Sequence, residues 1–247
     1  MKKKYGFKNS GYNEKLTSIP QNFASAIKDN VLELIMYGDI GNSWYDDGIT
    51  ASDVDNALRQ AGNKDVIVRL NSPGGSAFDG VSIYNRLVQH PGKVTVYVDG
   101  YACSSASIIA MAGDEIIMGE GSMLMIHEAS TFVYGTKDDF TAQANMLAEL
   151  ESGIIDIYMN KANVSREKVT ELVNAETWFS STSALEIGFA TSIASSVVED
   201  EKQSEEIQNL KSIILNMQTQ IETLTNNAEN VKNKEEEKIT PKKRRIF

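Results

Sequence analysis

Three serines in the segment Gly100–Ser107 (GYACSSAS) are well placed for nucleophilic chemistry. The segment follows a strand-like run, Val94–Val98, with a turn expected at Asp99-Gly100, and it precedes an apolar, helix-like run, Ile108–Ala112. A serine at such a strand-to-helix turn lies beside the free backbone N–H groups of a helix N-terminus, which is a common setting for a nucleophile. The alternative is that these small residues only allow close packing of the helix.

A glycine-rich turn is expected upstream of these serines. The run Asp65–Leu70 is typical of a strand, and Asn71–Gly75 (NSPGG) follows at its end. Glycines let the backbone adopt positive φ and approach a bound group closely, so the amides of this turn can stabilise a developing negative charge. The alternative is an ordinary turn into the helix expected over Phe78–Val88.

The chain has two histidines, and one of them is a candidate general base. His127 ends a strand-like run that starts at Met123, whereas His90 precedes a proline at a helix end, where a surface or capping role is expected. Histidine is the usual general base near neutral pH. If Ser104 is a nucleophile that needs such a base, His127 is the leading candidate. A structural role at the strand end is the alternative.

In their order and spacing, these motifs resemble the proteolytic subunit of the Clp protease, a family of serine peptidases. The resemblance covers about residues 27–195, and it points to the phage or prophage branch, which is associated with capsid maturation. It implies an α/β fold, a crotonase-like spiral of stacked ββα units, which assembles as a homo-oligomeric ring and cleaves proteins or peptides. The motifs that carry the resemblance are Asn71–Gly75, Gly100–Ser104, Met125–His127, Trp178–Ser181, Ala184 and Gly188.

The resemblance also implies a role for individual residues. Ser104 corresponds to the nucleophile and His127 to the general base, and the amides of Gly75 and Ser105 correspond to the oxyanion hole. No metal or other cofactor is expected. The chain has no Gly-x-x-x-x-Gly-Lys-Ser/Thr phosphate-binding loop, so any ATP-driven unfolding of substrates would come from a separate partner.

The third member of the catalytic triad departs from the family's pattern. The family has an aspartate two residues before the phenylalanine that corresponds to Phe179, and here that position is Thr177. A hydroxyl has no charge to stabilise an imidazolium, whereas the neighbouring Glu176 has one, provided that its side chain reaches the His127 ring. We therefore expect Glu176 to orient His127. The alternatives are a solvated Glu176 and a serine–histidine dyad.

The composition agrees with this interpretation. With 247 residues, 41% of them hydrophobic, the chain can form one substantial domain with an appendage. A net charge of −10 argues against binding to nucleic acid or to an acidic membrane surface. A single cysteine, Cys103, excludes an intramolecular disulfide and suits a cytoplasmic protein. The basic start, Met1–Lys4, precedes no apolar run, so neither a signal peptide nor a membrane span is expected.

Three regions are expected along the chain: a flexible N-terminal arm over residues 1–26, a peptidase domain over residues 27–198, and an appendage over residues 199–247. Within the domain, strands and helices alternate as in stacked βαβ units, starting with a strand at Val31–Tyr37. A long helix is expected over Asp138–Asn163. In the family, the equivalent helix mediates contact between two rings.

The appendage has the heptad pattern of a coiled coil over about residues 203–232. Isoleucine predominates at the a positions and leucine or methionine at the d positions, which favours two parallel strands and suggests binding to a partner helix such as a capsid or scaffold segment. The chain ends in a short basic tail, Pro241–Phe247, which is expected to be solvated or to assist docking. The apolar seam consists of Ile207, Leu210, Ile214, Met217, Ile221, Leu224, Ala228 and Val231.

A serine endopeptidase, itself independent of ATP, is the favoured interpretation, and two other functions remain open. One is a crotonase-like acyl-CoA hydratase or isomerase, which uses similar oxyanion turns but needs acidic catalysts where this chain has Ser104 and Ser105. The other is a non-catalytic assembly scaffold in which the coiled coil is the functional part. The departure at Thr177 is consistent with this second alternative.

Overall fold

The computed structural model describes residue 16, residues 18–42 and residues 47–194 of the chain. Strands and helices alternate through most of this length, as the sequence predicts for an α/β fold. The expected coiled coil, the basic tail and most of the expected N-terminal arm lie outside the described residues. The elements, in chain order, are β1 Asn22–Lys28, β2 Val31–Ile40, α1 Ala51–Ala61, β3 Asp65–Gly75, α2 Ala77–Val88, β4 Val94–Cys103, α3 Ser105–Ala110, β5 Glu115–Met118, β6 Met123–Ile126, α4 Lys137–Met159, α5 Arg166–Ala175, β7 Thr177–Ser180, α6 Ser181–Ile187 and β8 Ser192–Ile193.

A mostly parallel sheet forms the centre of this fold. Its strands lie in the order β1-β2-β3-β4-β5-β8. The carboxyl-terminal end of β4 pairs instead with β6, which in turn pairs with β7. Among the strand pairs that the structure describes, only β1–β2 and β6–β7 are antiparallel. Parallel neighbours need crossover connections, which α1 supplies between β2 and β3 and α2 between β3 and β4.

Apolar side chains on one face of β2, β3 and β4 form the core. The strand register aligns Leu34 with Val68, and Val68 with Val96, and all three side chains are fully buried. Neighbouring rows repeat this arrangement, because side chains two residues apart on a strand share a face. Burial of such rows is the main source of stability for a sheet of this kind, and it holds the central strands in a fixed register.

β1 begins at Asn22, inside the segment over which the sequence predicts a flexible arm. The strand pairs with β2 along its whole length, from Asn22 opposite Tyr37 to Lys28 opposite Val31. Six of its seven side chains are exposed, so it lacks the apolar alternation by which a sequence reveals a strand. Residues 22–26 therefore belong to the sheet rather than to an arm.

Both β3 and β4 continue past the points where the sequence predicts turns. β3 extends to Gly75, and β4 extends through Asp99-Gly100 as far as Cys103. The side-chain oxygen of Asn71 accepts a hydrogen bond of 3.0 Å from the Tyr101 N–H, which links the two extensions. The expected turn residues are therefore strand residues, and both strands run directly into the segments that contain the predicted site.

The long helix α4 runs from Lys137 to Met159, so it begins one residue before the predicted start and ends four residues before the predicted end. Thr136 forms a capping box with Asp139, which accounts for the start of the helix at Lys137. Within α4, the buried side chains all lie in the last two turns. Among the helices that the structure describes, none is long and apolar enough to cross a membrane.

Candidate active site

The candidate site lies at the carboxyl ends of three neighbouring strands. Gly75 is the last residue of β3, Ser104 follows β4, and His127 follows β6. Because β4 is parallel to both β3 and β6, the three strands end at the same edge of the sheet. This edge is where ligands of α/β folds usually bind. His90, by contrast, precedes β4 at the opposite edge, with its Nε2 atom 2.6 Å from the Lys64 carbonyl oxygen.

Ser104 has a backbone conformation that few residues other than glycine adopt, with φ 54° and ψ −125°. Such a conformation costs about 1–3 kcal/mol, so its surroundings must hold it. The Ser104 N–H donates to the Met125 carbonyl of β6 at 2.9 Å, and the Ser104 carbonyl accepts from the Ser107 N–H at 2.9 Å. The turn between β4 and α3 is thereby fixed on both sides of the serine.

The side chains of Ser104 and His127 are in hydrogen-bond contact. The distance between Ser104 Oγ and His127 Nε2 is 2.9 Å. When Nε2 carries no proton, the serine hydroxyl can donate to it. This is the arrangement in which a histidine activates a serine nucleophile.

The end of β3 lies against the Ser104 turn because Gly74 has no side chain. Gly74 has φ +90°, and a Cβ atom there would lie 2.5 Å from the Cys103 carbonyl oxygen and 2.7 Å from Ser104 Cβ. Gly75 has φ +146°, and a Cβ atom there would lie 2.1 Å from the Ile40 carbonyl oxygen. Only glycine therefore allows β3 to approach the nucleophile at Gly74 and the backbone of β2 at Gly75.

Two backbone amides share a cavity with the serine–histidine pair. Gly75 and Ser105 line the same cavity as Ser104 and His127. The Ser105 N–H belongs to the first turn of α3, where a helix offers its amides no carbonyl partner from within. Gly75 and Ser105 therefore remain the candidates for an oxyanion hole, whose donors are backbone N–H groups beside the attacking oxygen.

The pairing of β6 with β7 brings both candidates for the third triad residue next to His127. Thr177 lies opposite Ile126, so Glu176 would be opposite His127 if the register is extended by one residue. Glu176 and His127 line one cavity. The Thr177 hydroxyl donates to the Leu172 carbonyl at 2.7 Å, which directs it toward the backbone of α5. This geometry favours Glu176 over Thr177 as the residue that orients His127.

A cavity of about 270 Å³ lies beside Ser104. The strand-to-helix turns after β3 and β4 line one part of it, and α4 contributes an apolar part. A pocket that combines apolar walls with a few polar groups is typical of ligand and substrate sites. The apolar residues from α4 are Met146, Leu147, Leu150 and Ile154.

A second cavity, of about 470 Å³, shares His127 with the first and has acidic walls. Glu128, Glu151 and Glu176 all line it. Burial raises the pKa of the Glu151 carboxyl, and the charge of Glu128 raises it further, while a hydrogen bond from the backbone of Ala129 acts in the opposite direction. Three carboxyl groups therefore line the cavity on this side of His127.

Cys103 precedes the candidate nucleophile but is not a nucleophile candidate itself. Its side chain is fully buried, and burial raises the pKa of the Cys103 thiol far above its usual range. Because the thiolate is the reactive form of cysteine, the Cys103 thiol is unreactive, and Ser104 remains the candidate nucleophile at this turn.

The contact between Tyr158 and Ser107, next to the candidate nucleophile, is not predictable from the sequence motifs. The Tyr158 hydroxyl oxygen lies 2.7 Å from Ser107 Oγ, although the two residues are 51 positions apart. The one available signal is that Tyr158 follows Ile154 by four residues and therefore shares its face of α4. That spacing indicates burial but does not reveal the partner.

Comparison with known protein families identifies the group to which this chain belongs. The model of the family described as Clp protease matches residues 54–197, which is more than half of the chain. The chain is therefore a member of the Clp protease family. The matched segment includes the oxyanion candidates as well as Ser104, His127 and Glu176.

Individual relatives agree with this assignment. The ATP-dependent Clp protease proteolytic subunit 3 of Rhodococcus jostii (strain RHA1) is 28% identical over 55% of this chain and 68% of its own length. The ATP-dependent Clp protease proteolytic subunit of Borreliella afzelii (strain PKo) is 32% identical over 53% of this chain and 68% of its own length. A solved ClpP1 variant from Listeria monocytogenes matches with a TM-score of 0.58 and 19% identity, over 67% of this chain and 92% of that chain. This similarity confirms the predicted crotonase-like α/β fold.

Replacement of Gly74 by alanine should remove activity by displacing the nucleophile. The new Cβ atom would collide with Cys103 and Ser104, and a misplacement of about 1 Å can cost about 10²-fold in rate. Gly121→Ala is the matched control, because Gly121 has φ +75° but open space around its Cβ position. Both variants should melt at a lower temperature, while only Gly74→Ala should lose hydrolysis of a fluorogenic peptide. Equal activity of the two variants would contradict this explanation of the close approach.

Glu176→Gln should reduce turnover at least about tenfold if the carboxylate stabilises the imidazolium of His127. Thr177→Val should leave turnover near that of the wild type and cost about 1 kcal/mol of stability, because the Thr177 hydroxyl bonds the Leu172 carbonyl. Peptide hydrolysis rates and thermal melts of the two variants measure these effects. A larger loss of turnover in Thr177→Val would instead assign the orienting role to the threonine.

Proposed function

We propose that this protein is a serine endopeptidase of the Clp type that cleaves proteins or peptides. The observation that carries the proposal is the 2.9 Å contact between Ser104 Oγ and His127 Nε2. It occurs at the sheet edge where substrates of α/β folds bind, beside the amides of Gly75 and Ser105. Membership of the Clp protease family supports the same activity.

The proposed reaction begins with attack of Ser104 Oγ on the carbonyl carbon of the scissile peptide bond. His127 accepts the hydroxyl proton and later delivers it to the nitrogen of the leaving amine. The carbonyl oxygen becomes an oxyanion, which the N–H groups of Gly75 and Ser105 bind. Water then hydrolyses the acyl-enzyme ester on Ser104, with His127 acting again as the base.

In this reaction, Glu176 is the residue that stabilises the imidazolium form of His127. Its place one residue before β7 and its position in a cavity with His127 support this role. Glu176 would thus take the role of the aspartate that the family has at the position of Thr177. We propose that the Glu176 side chain, which is one methylene group longer than that of aspartate, reaches the His127 ring from a position one residue away from the usual one.

An acyl-CoA hydratase or isomerase of the crotonase type is the less favoured alternative. That chemistry needs acidic catalysts at the turn after β4, where this chain has Ser104 and Ser105. The Ser104–His127 contact instead supports acyl transfer to a serine. A purely structural scaffold would have no need for the strained conformation of Ser104, since backbone strain of this kind tends to occur at functional sites.

The proposed peptidase acts as a homo-oligomeric ring in the cytoplasm. The ring form is a feature of the Clp family, and a separate ATP-driven unfoldase would supply folded substrates to it. A single buried cysteine and a net charge of −10 are consistent with this location and with protein rather than nucleic-acid substrates. The relatives whose names begin "ATP-dependent" support the link to an unfoldase.

We further propose a role in maturation of a phage or prophage capsid, in which the C-terminal appendage binds a capsid or scaffold segment. The support is the heptad spacing over about residues 203–232, which is typical of a helix that associates with another helix. Under this proposal, residues 27–198 carry the catalysis and the appendage recruits the large substrate.

Ser104→Ala should abolish hydrolysis of casein and of a fluorogenic peptide, by at least about 10³-fold, without changing the fold. His127→Ala should cause a similar loss, because the serine then lacks its base. His90→Ala is the matched control, since His90 lies at the opposite edge of the sheet and bonds the Lys64 carbonyl. Persistent cleavage in Ser104→Ala, or equal losses in the two histidine variants, would overturn the proposed function.

The combined change Ile214→Asp with Ile221→Asp should prevent recruitment to a capsid partner and leave peptide hydrolysis near wild type. Two charges in the apolar seam oppose helix association. Asn216→Asp with Thr223→Asp is the control, because those residues occupy outward heptad positions. Co-sedimentation with proheads measures recruitment. If the seam variant also fails to hydrolyse the peptide, the appendage belongs to the catalytic body.

A further inference from the structure

A chain of buried hydroxyl groups leads from α4 to the backbone of the candidate nucleophile. The Tyr158 hydroxyl oxygen lies 2.7 Å from Ser107 Oγ, and Ser107 Oγ lies 2.6 Å from the Ser104 carbonyl oxygen. Tyr158 is 2% exposed and Ser107 is fully buried. The carbonyl can only accept, so the Ser107 hydroxyl donates to it, and the Tyr158 hydroxyl in turn donates to Ser107.

The peptide bond at the end of this chain contains one of the proposed oxyanion donors. The carbonyl of Ser104 and the N–H of Ser105 belong to the same planar peptide group. The described residues contain no cis peptide bond, so this C=O and this N–H point in opposite directions. Hydrogen bonds to the carbonyl oxygen from behind therefore fix the direction in which the Ser105 N–H points toward the cavity.

We propose that Tyr158 is a positioning residue which, through Ser107, orients and polarises the Ser105 amide for binding of the oxyanion. The inference rests on the proposed function, because it assigns a support to that reaction's oxyanion hole. Hydrogen bonds in a chain polarise one another, so donation to the Ser104 carbonyl makes the Ser105 N–H a stronger donor. Tyr158 itself does not touch the reacting atoms.

Packing alone would not require a hydroxyl at residue 158. The Tyr158 ring contacts Phe189, with ring centroids 5.5 Å apart, and phenylalanine would preserve this contact. A buried hydroxyl is unfavourable unless it is hydrogen-bonded. Burial also raises the pKa of Tyr158, so the hydroxyl keeps the proton that it donates.

The expected effect is moderate, because the Ser104 carbonyl also accepts backbone bonds from Ser107 at 2.9 Å and Ile108 at 3.4 Å. These bonds hold the peptide group in place when the side-chain bond is lost. Removal of a complete oxyanion donor costs about 10²–10³-fold in kcat. Weakening the Ser105 donor without removing it should therefore lower kcat about tenfold.

Tyr158→Phe, Ser107→Ala and the double variant of the full-length chain test this inference with a fluorogenic peptide. Each single variant should lose about tenfold in kcat with KM unchanged, because the oxyanion exists only in the transition state. The double variant should lose no more than either single variant, since the two hydroxyls act as one unit. Tyr84→Phe is the matched control. It removes the hydroxyl of another buried tyrosine, in α2, which accepts a bond from Asn160 just after the end of α4, and its kcat should not change.

A nitrogen NMR signal gives a readout that needs no catalysis. The ¹⁵N shift of the Ser105 amide should move upfield in Tyr158→Phe and Ser107→Ala and stay unchanged in Tyr84→Phe. An unchanged Ser105 shift would overturn the inference even if the wild type proved to have no peptidase activity. Strictly additive kcat losses, or a loss in Tyr84→Phe equal to that in Tyr158→Phe, would also overturn it. Cleavage that persists in Ser104→Ala would refute the proposed function and would leave the amide shift to decide this inference.

Discussion

The strained turn at Ser104 is the constraint on which the rest of the site depends. A serine with φ 54° and ψ −125° is stable only where its neighbours hold both sides of it. Here β6 accepts its N–H, the first turn of α3 donates to its carbonyl, and Gly74 lets β3 lie against its Cβ atom. The result is a hydroxyl whose position is set by three strands and a helix rather than by a mobile loop.

The strand that fixes the turn also supplies its chemical partner. β6 accepts the Ser104 N–H through Met125 and ends one residue before His127, so the same strand determines both the serine and the histidine. β7 then pairs with β6 and is preceded by Glu176. Because β3, β4 and β6 are parallel, the residues that follow them lie at one edge of the sheet. The pairing of the strands therefore places residues that are distant in sequence close together at one site.

Sequence alone predicts the fold class and the local motifs of the site, because these depend on short segments. The strand-to-helix segment around Ser104, the glycines before α2 and the histidine after an apolar run are all local patterns. Features that depend on tertiary contacts were not predictable in this way. β1 has exposed side chains and is a strand only because it pairs with β2. The Tyr158–Ser107 contact joins α4 to α3, and the local sequence of neither helix reveals the other as its partner.

We propose above all that Ser104 is the activated nucleophile of an acyl-transfer site. The most direct test is to react the full-length protein with a peptidyl diphenyl phosphonate and to locate the adduct by peptide mass spectrometry. We predict one adduct, on Ser104, which disappears when His127 is replaced by alanine and persists when His90 is replaced. An unmodified Ser104 peptide, or an adduct at another residue that forms equally well without His127, would contradict the account.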